Sequence, residues 1–349
     1  MLDRTFTVAP MMEWSDRHCR MFWRGLSQHA VLYTEMVTTG AIIHAGAERF
    51  LPFNPEEQPL ALQLGGSDPA DLARCAKIAE DWGYSEVNLN CGCPSDRVQN
   101  GMIGAILMAH PQLVADGIKA MQDACDIPVT VKHRIGIDDM DDYEGMLNFV
   151  DTVAATGCDT FIVHARKAWL QGLSPKENRD VPPLQYDNVY RLKRERPDLE
   201  IIINGGINDL DSSENHLQYV DGVMLGRAAY QNPYLLAEVD QRFYGGAASQ
   251  QTVEPIITKS RDQALLDFMP YIEKQLSQGT QLHHMTRHIL GLFQGQPGAK
   301  LFRRHISQHA HVKGCGIEVV EKAYQCIIEE REKAALYAEQ LATRASTGE

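Results

Sequence analysis

Short apolar runs alternate with amphipathic stretches along most of this chain. Thr5 to Pro10 reads as a first strand and Val31 to Glu35 (VLYTE) as a second, with an amphipathic piece around Arg17 to Leu26 between them. Leu60 to Leu64 (LALQL) predicts a third strand, followed by a helix with Asp68 as N-cap and Pro69 at its first position. Leu72, Cys75, Ala76 and Ala79 share one face of that helix, and Gly83 is its C-cap. Val87 to Asn90 is a fourth strand, and Leu113, Val114, Ile118 and Met121 mark the helix after the long loop that follows it. Pro128 to Lys132, Thr160 to His164, Glu200 to Asn204 and Gly222 to Leu225 complete eight strands. Helical stripes at Leu147, Val150 and Ala154, around Val189 to Arg194, and from Leu210 to Tyr219 separate these last four.

Strands that are apolar runs more often than clean alternations are buried on both faces, as in a parallel sheet covered by helices. Eight strand and helix alternations close most economically into a (β/α)8 TIM barrel, an α/β fold over residues 1–245. Gly245 to Thr252 (GGAASQQT) is small and polar and reads as a linker, and residues 253–349 lack strand signals. They predict a C-terminal all-helical domain.

A net charge of −13 and a pI near 5.5 would not attract nucleic acid to the chain as a whole. Position therefore matters more than total. From Lys274 to Ile317 there is no Asp or Glu, while Lys274, Arg287, Lys300, Arg303, Arg304 and Lys313 supply six cations beside six of the thirteen histidines. A solvated face would mix both signs; this run predicts a positive face for a polyanion. The loop from Arg166 to Pro183 adds Arg166, Lys167, Lys176 and Arg179 around Trp169, a mixture suited to unpaired nucleotides. The charged N-terminus and the lack of any apolar run near the ~18 residues of a membrane span predict a cytoplasmic protein. The eight cysteines are scattered rather than framed for disulfides.

In a barrel the C-terminal strand ends converge on one mouth. Here that gathers Pro10, Met11 and Met12, Glu35, Gln63, Asn90 to Cys93, Lys132, His164 to Arg166, Asn204 to Gly206, and Gly226 with Arg227. Polar groups recurring there favour a site over packing. Asn204-Gly205-Gly206 and Gly226-Arg227 follow the seventh and eighth strands, where barrels hold phosphates, and point to a phosphate-bearing cofactor. Lys132 fits a Schiff-base nucleophile, a partner for an anionic ring or a solvated lysine. Cys91 and Cys93 lack a second ligand pair, so no metal is expected; Cys91 continues the strand, while Cys93 occupies the turn.

These stretches resemble the flavin-dependent tRNA-dihydrouridine synthases, and among them the bacterial subfamily A group that acts on uridines 20 and 20a. The likeness runs through VAPM (from Val8), YTEMVTTGAII (Tyr33), ALQLGG (Ala61), NLNCGCPSDRVQNG (Asn88) and VTVKHRIG (Val129). It continues through HARKAWLQGLSPKENR (His164), INGGI (Ile203), GRAAYQNP (Gly226), HMTRH (His284) and LGLFQGQPGAK (Leu290). Cys91 is one departure from many relatives. The resemblance implies FMN contacts at Pro10, Met11, Met12, Gln63, Lys132, His164, Asn204, Gly205, Gly206, Gly226 and Arg227. It also implies tRNA contacts at Asn90, Lys176, Arg179, Lys300 and Arg303. The reaction it implies reduces uridine to 5,6-dihydrouridine: NADPH reduces FMN, the flavin N5 passes hydride to C6, and Cys93 gives a proton to C5. A thiol with an ordinary pKa of about 8.5 is protonated at neutral pH and suits an acid. Other readings of the same residues are a flavin barrel acting on free pyrimidines, a Lys132 aldolase, and a non-catalytic tRNA-binding factor.

Overall fold

The computed structural model describes residues 2–95, 101–140, 143–245 and 258–347. The expected linker from Gly245 to Thr252 lies outside them, apart from Gly245, and so do residues 96–100 of the cysteine-bearing stretch. Nine strands form one parallel sheet: β1 (Phe6–Val8), β2 (Val31–Tyr33), β3 (Val37–Thr38), β4 (Leu60–Gly65), β5 (Glu86–Cys91), β6 (Val129–Arg134), β7 (Thr160–His164), β8 (Glu200–Asn204) and β9 (Gly222–Leu225). They run in the order β2-β1-β9-β8-β7-β6-β5-β4-β3, and β2 also pairs with β4, which closes eight of them into a TIM barrel. The fold expected from the apolar rhythm is the one observed.

Several strand boundaries differ from expectation, among them that of β1, which spans Phe6–Val8 rather than Thr5 to Pro10. The second strand stops at Tyr33 because the Thr34 hydroxyl takes the Gln63 amide of β4 at 3.0 Å. The chain rejoins β4 two residues at a time as β3, with Val37 opposite Leu64. The fifth predicted strand runs two residues further than expected, to Arg134. The helix predicted from Leu210 to Tyr219 ends at His216. The helix Pro69–Trp82 forms as its caps dictate: the Asp68 carboxylate accepts the amides of Ala70 and Asp71, and Gly83 closes it in the left-handed region at φ +87°.

Successive side chains of a strand face opposite sides, and β5 shows what this does here. Val87, Leu89 and Cys91 enter the main hydrophobic core under the helices, while Glu86, Asn88 and Asn90 face the barrel axis. One part of the interior is apolar: Ala9, Val31, Tyr33, Ala61, Ile162, Ile202 and Met224. The rest is a polar ladder. Arg4 donates to Glu86 at 2.6 Å and to Glu200 at 2.7 Å at the barrel floor. Tyr33 and Thr130 hydroxyls donate to Glu86, Asn88 donates to Thr130, Gln63 to Asn88, and Asn90 to Gln63, all between 2.6 and 2.8 Å. Burial alone disfavours the Arg4 charge, but Glu86 and Glu200 outweigh it and hold its pKa above the usual arginine range.

Among the described residues from 258 onward there are helices and no strand. The longer ones span Arg261–Ser277, Ala299–His309 and Glu318–Thr347. This region does not have a core of its own: one hydrophobic cluster runs from Phe6 in the barrel to Ile327. The ring of Phe22 meets Phe268 at 5.1 Å, Trp14 stacks on Tyr230 at 4.3 Å, and Tyr230 meets His288 edge-on at 5.7 Å. A Cβ at Gly291 would lie 2.2 Å from the Gln231 carbonyl oxygen, so only glycine permits that approach. No helix among the described residues is long and apolar enough to cross a membrane.

Glu86 is fully buried and serves three donors, so Glu86→Ala strands Tyr33 and Thr130 and leaves Arg4 with Glu200 as its one acid. The expected loss is about 3–5 kcal/mol of unfolding free energy, read from urea denaturation midpoints. A loss below about 1 kcal/mol would show that the ladder does not carry the floor of the barrel.

Candidate functional site at the barrel mouth

The interior ladder ends at the cysteine turn. Asn90 sits at the top of β5, and its side-chain oxygen accepts the backbone amides of Gly92 at 3.0 Å and Cys93 at 2.9 Å. Its amide nitrogen is already bound to Gln63. Asn90 thus clamps the turn from below. Arg134 clamps it from the side: its Nε donates to the Gly92 carbonyl at 2.9 Å, and its NH1 donates to the carbonyls of Lys167 and Asn178 at 3.0 Å. Gly104, at φ +83°, packs on the Cys93 carbonyl, where a Cβ would stand 2.4 Å from that oxygen. Cys93 is therefore fixed on three sides and half-buried, whereas Cys91 is fully buried on the outer face of the strand.

Around this turn the mouth is cationic. The Lys132 ammonium donates to Asn204 Oδ1 at 3.0 Å, and Asn204 in turn donates to the Met224 carbonyl at 2.7 Å. Burial, then Arg134, bring the Lys132 pKa down to about 7, with Cys93 acting in the opposite sense. Burial likewise lowers Arg134 to about 10, with Cys93 opposing and Arg179 and Arg166 adding to the shift. His164 is held well below the usual imidazole range by burial and then by Arg134, Lys132, Arg166 and Arg179, four cations with no acid among them. His164 Nδ1 and Arg166 Nε are buried without a hydrogen-bond partner among the described residues. Buried donors and acceptors left open beside unpaired positive charge fit an anionic group with acceptor atoms.

The remaining expected cofactor contacts lie in sequence round the same rim. Gly205 and Gly206 adopt positive φ of 113° and 71°, which frees the backbone after β8 to lie against His164 and Leu184. Gly226 follows β9 and lies near Met11, while Pro10 is half-buried and Met12 is 60% exposed on the loop after β1. Gln63 is 1% exposed, with its amide bridging Asn88 and Asn90. Arg227 is paired with Asp180 at 2.7 Å, at the exposed edge of the mouth. Glu35 borders it too, its carboxyl raised by burial against the opposing hydrogen bond from the Glu13 amide.

The residues expected to meet RNA are distributed over two surfaces. Lys176 and Arg179 are exposed on the loop of residues 166–183, which is organised by the buried Asn178 amide and its bonds to Trp169 and Leu173. Within that loop the Lys167 ammonium lies 4.2 Å from the Trp169 ring centroid and covers one face of it. Lys300, Arg303 and Arg304 share the first turns of the helix Ala299–His309. None of these five cations beyond Lys167 has a carboxylate within ion-pair distance among the described residues. The outer barrel helices differ: Lys77, Lys119, Arg191, Arg196 and Arg242 are all paired with acids. Asn90 lies apart from both surfaces, buried under the cysteine turn. Arg134 and Asn88 were not singled out from the sequence; Lys132 and Arg134 stand two apart, and an extended β6 puts both on the inner face.

The profile of the dihydrouridine synthase family matches residues 7–329. Relatives named tRNA-dihydrouridine(20/20a) synthase are 60% identical in Shewanella oneidensis, over 93% of this chain and 95% of that protein, and 60% identical in Vibrio cholerae, over 91% and 94%. The relative of that name in Escherichia coli K12 is 58% identical over 93% of this chain and 92% of its own. Two solved structures share the barrel at low identity. A 2-naphthoyl-CoA reductase complex has a TM-score of 0.54 at 11% identity, covering 68% of this chain and 50% of that one. An old yellow enzyme homologue from Zymomonas mobilis has a TM-score of 0.50 at 12% identity, covering 74% and 94%. With the family profile spanning most of its length and relatives this similar over more than nine-tenths of it, this chain belongs to the dihydrouridine synthase family.

Proposed function

We propose that this chain reduces uridine to 5,6-dihydrouridine at positions 20 and 20a of tRNA, with FMN as its resident cofactor and NADPH as the external reductant. The observation that carries this reading is the fixed Cys93 turn set beside a cation-rich mouth with buried groups left unpartnered. Pro10, Met11, Met12, Gln63, Lys132, His164, Asn204, Gly205, Gly206, Gly226 and Arg227 would hold the flavin. Bound there, it supplies the two-electron reduction as hydride delivered to C6 of the uracil.

The chain's own part is the proton. Cys93 gives it to C5, which leaves a thiolate; Lys132, Arg134 and Arg179 all feel that sulfur and would stabilise its negative charge until the thiol is restored from solvent. The clamp by Asn90 and Arg134 fixes the backbone that carries the thiol, and catalysis by a positioned acid depends on that. The uridine must leave its stack to reach the mouth, at a cost of a few kcal/mol, and phosphate contacts to Lys176, Arg179, Lys300 and Arg303 would offset it. Barrel residues 1–245 then perform the reduction and residues 253–349 position the RNA, in the cytoplasm where the tRNA is. The lowered Lys132 amine also suits a Schiff-base nucleophile, a reading that trapping with borohydride would support.

Cys93→Ala is expected to cut single-turnover dihydrouridine formation by about 10²- to 10⁴-fold while flavin content and tRNA affinity stay unchanged. Undiminished turnover would contradict the role. Because Lys132 is protonated only below about pH 7 in the free protein, the affinity of apoprotein for anionic FMN should fall as pH rises from 7 to 9. Fluorescence quenching of FMN measures this. Lys132→Met should flatten that dependence and weaken binding at pH 7 by about ten- to a hundred-fold; an unaltered profile would remove Lys132 from the cofactor site.

A further inference from the structure

Between the barrel and the helical region lies a cleft of about 480 Å³, lined by Asp16, Arg17, His18, Gly279, Thr280, Gln281 and His284. None of its residues belongs to the flavin or RNA sets named above. Its charge is not what its lining residues suggest at first sight. Asp16 is its one acid, and that carboxylate is fully committed. One oxygen accepts the His18 and Cys19 amides at 2.9 and 3.0 Å as the N-cap of the helix Arg17–Arg24. Arg287 and His288 take what remains. Burial works against the charge of Asp16, but bonds from His288, the Cys19 amide and Arg287 outweigh it and hold the carboxyl well below its usual range. The acid is thus neutralised from behind.

What faces the cleft is the opposite sign. Arg17 has no carboxylate within ion-pair distance among the described residues; its guanidinium donates to Gln275 at 3.2 Å and leaves its other N–H groups open. His284 is exposed, and its ring lies 4.1 Å from that of His283, which in turn lies 6.0 Å from His311. Thr280 and Gln281 add neutral polar groups on the rim. His18, bound to the Tyr271 hydroxyl at 2.7 Å and lowered to about 4 by burial, is a neutral wall.

We propose that this seam cleft holds a phosphodiester group of the RNA, gripped by Arg17 from the barrel side and His284 from the helical side. The proposal rests on the RNA-binding reading above and deepens it: the polymer is held at the join between the two regions as well as on the helix that carries Lys300 and Arg303. An unpaired guanidinium facing an imidazole across a water-accessible cleft, with the local acid already satisfied, is complementary to one phosphate. The cleft also adjoins the residues that brace the loop after β1. Arg287 and His288 bind Asp16, and Tyr230, in edge contact with His288, stacks on Trp14.

The test uses the flavin-loaded full chain and an unmodified tRNA transcript, with binding measured by fluorescence anisotropy over a series of salt concentrations. Arg17→Gln should raise Kd about three- to ten-fold and reduce the slope of log K against log salt by about one, and His284→Gln should weaken binding in the same direction. Lys300→Ala is the reference, and the effects of Arg17→Gln and Lys300→Ala should add. If Lys300→Ala weakens binding while Arg17→Gln keeps the parent affinity and slope, the cleft is not an RNA site and the broader reading stands. Binding unchanged in both variants overturns the two together. The same chemistry could serve the phosphates of NADPH; a raised KM for NADPH in flavin reduction without tRNA, at unaltered tRNA affinity, would assign the cleft to the dinucleotide and overturn the RNA assignment.

Discussion

A polar group taken out of water must find a partner, and that requirement governs this barrel from floor to mouth. At the floor it is met in full: Arg4, Glu86, Glu200, Tyr33 and Thr130 satisfy one another inside the strands. The ladder then climbs through Asn88 and Gln63 to Asn90, each amide spending one bond on the group below and one on the group above. Its last bonds go to the backbone of the cysteine turn. Interior hydrogen bonding thereby sets the position of a thiol at the surface of the cavity. At the mouth the same requirement is left open at His164 Nδ1 and Arg166 Nε, beside four cations unaccompanied by a buried acid.

The helical region gains its meaning from how it is joined. A linker of small polar residues would by itself allow independent motion, yet the hydrophobic core continues from Phe22 into Phe268 and on to Ile327 without a break. Gly291 lets the two backbones touch, and Asp16 is shared between a helix cap in the barrel and two side chains from the helical region. The cations of the helix Ala299–His309 are therefore carried at a fixed position relative to the mouth. An RNA held there meets the cavity in one register, which is what selection of particular uridines requires.

Much of this was legible in the residues. Strands buried on both faces are apolar runs, so eight of them can be counted and their ends aligned into a mouth from the residues alone. The caps of the helix Pro69–Trp82 were equally plain. Other features depend on partners distant in the chain and leave no local mark. The alternation of Glu86, Asn88 and Asn90 with apolar neighbours looks like a strand half in water, and only barrel closure turns the polar face inward. Arg134 was missed because β6 outlasts its apolar run; Val37 and Thr38 form β3 only through β4. The resemblance implies an RNA contact at Asn90, whose side chain is bonded to Gln63 below it and to the cysteine turn above it. In the basic and aromatic loop expected to suit unpaired nucleotides, Lys167 covers one face of Trp169. The acid-free run is neutralised only from elsewhere in the chain: Asp16 of the barrel pairs with Arg287, while Lys300, Arg303 and Arg304 have no carboxylate at ion-pair distance among the described residues.

The visible absorption spectrum of the purified chain tests the central claim most directly, because it asks whether the open, cationic mouth takes the group its chemistry fits. The account predicts the bands of an oxidised flavin in near-stoichiometric amount, retained through gel filtration, bleached by NADPH without oxygen and restored by unmodified tRNA. A colourless protein that takes up no FMN when it is offered would contradict it.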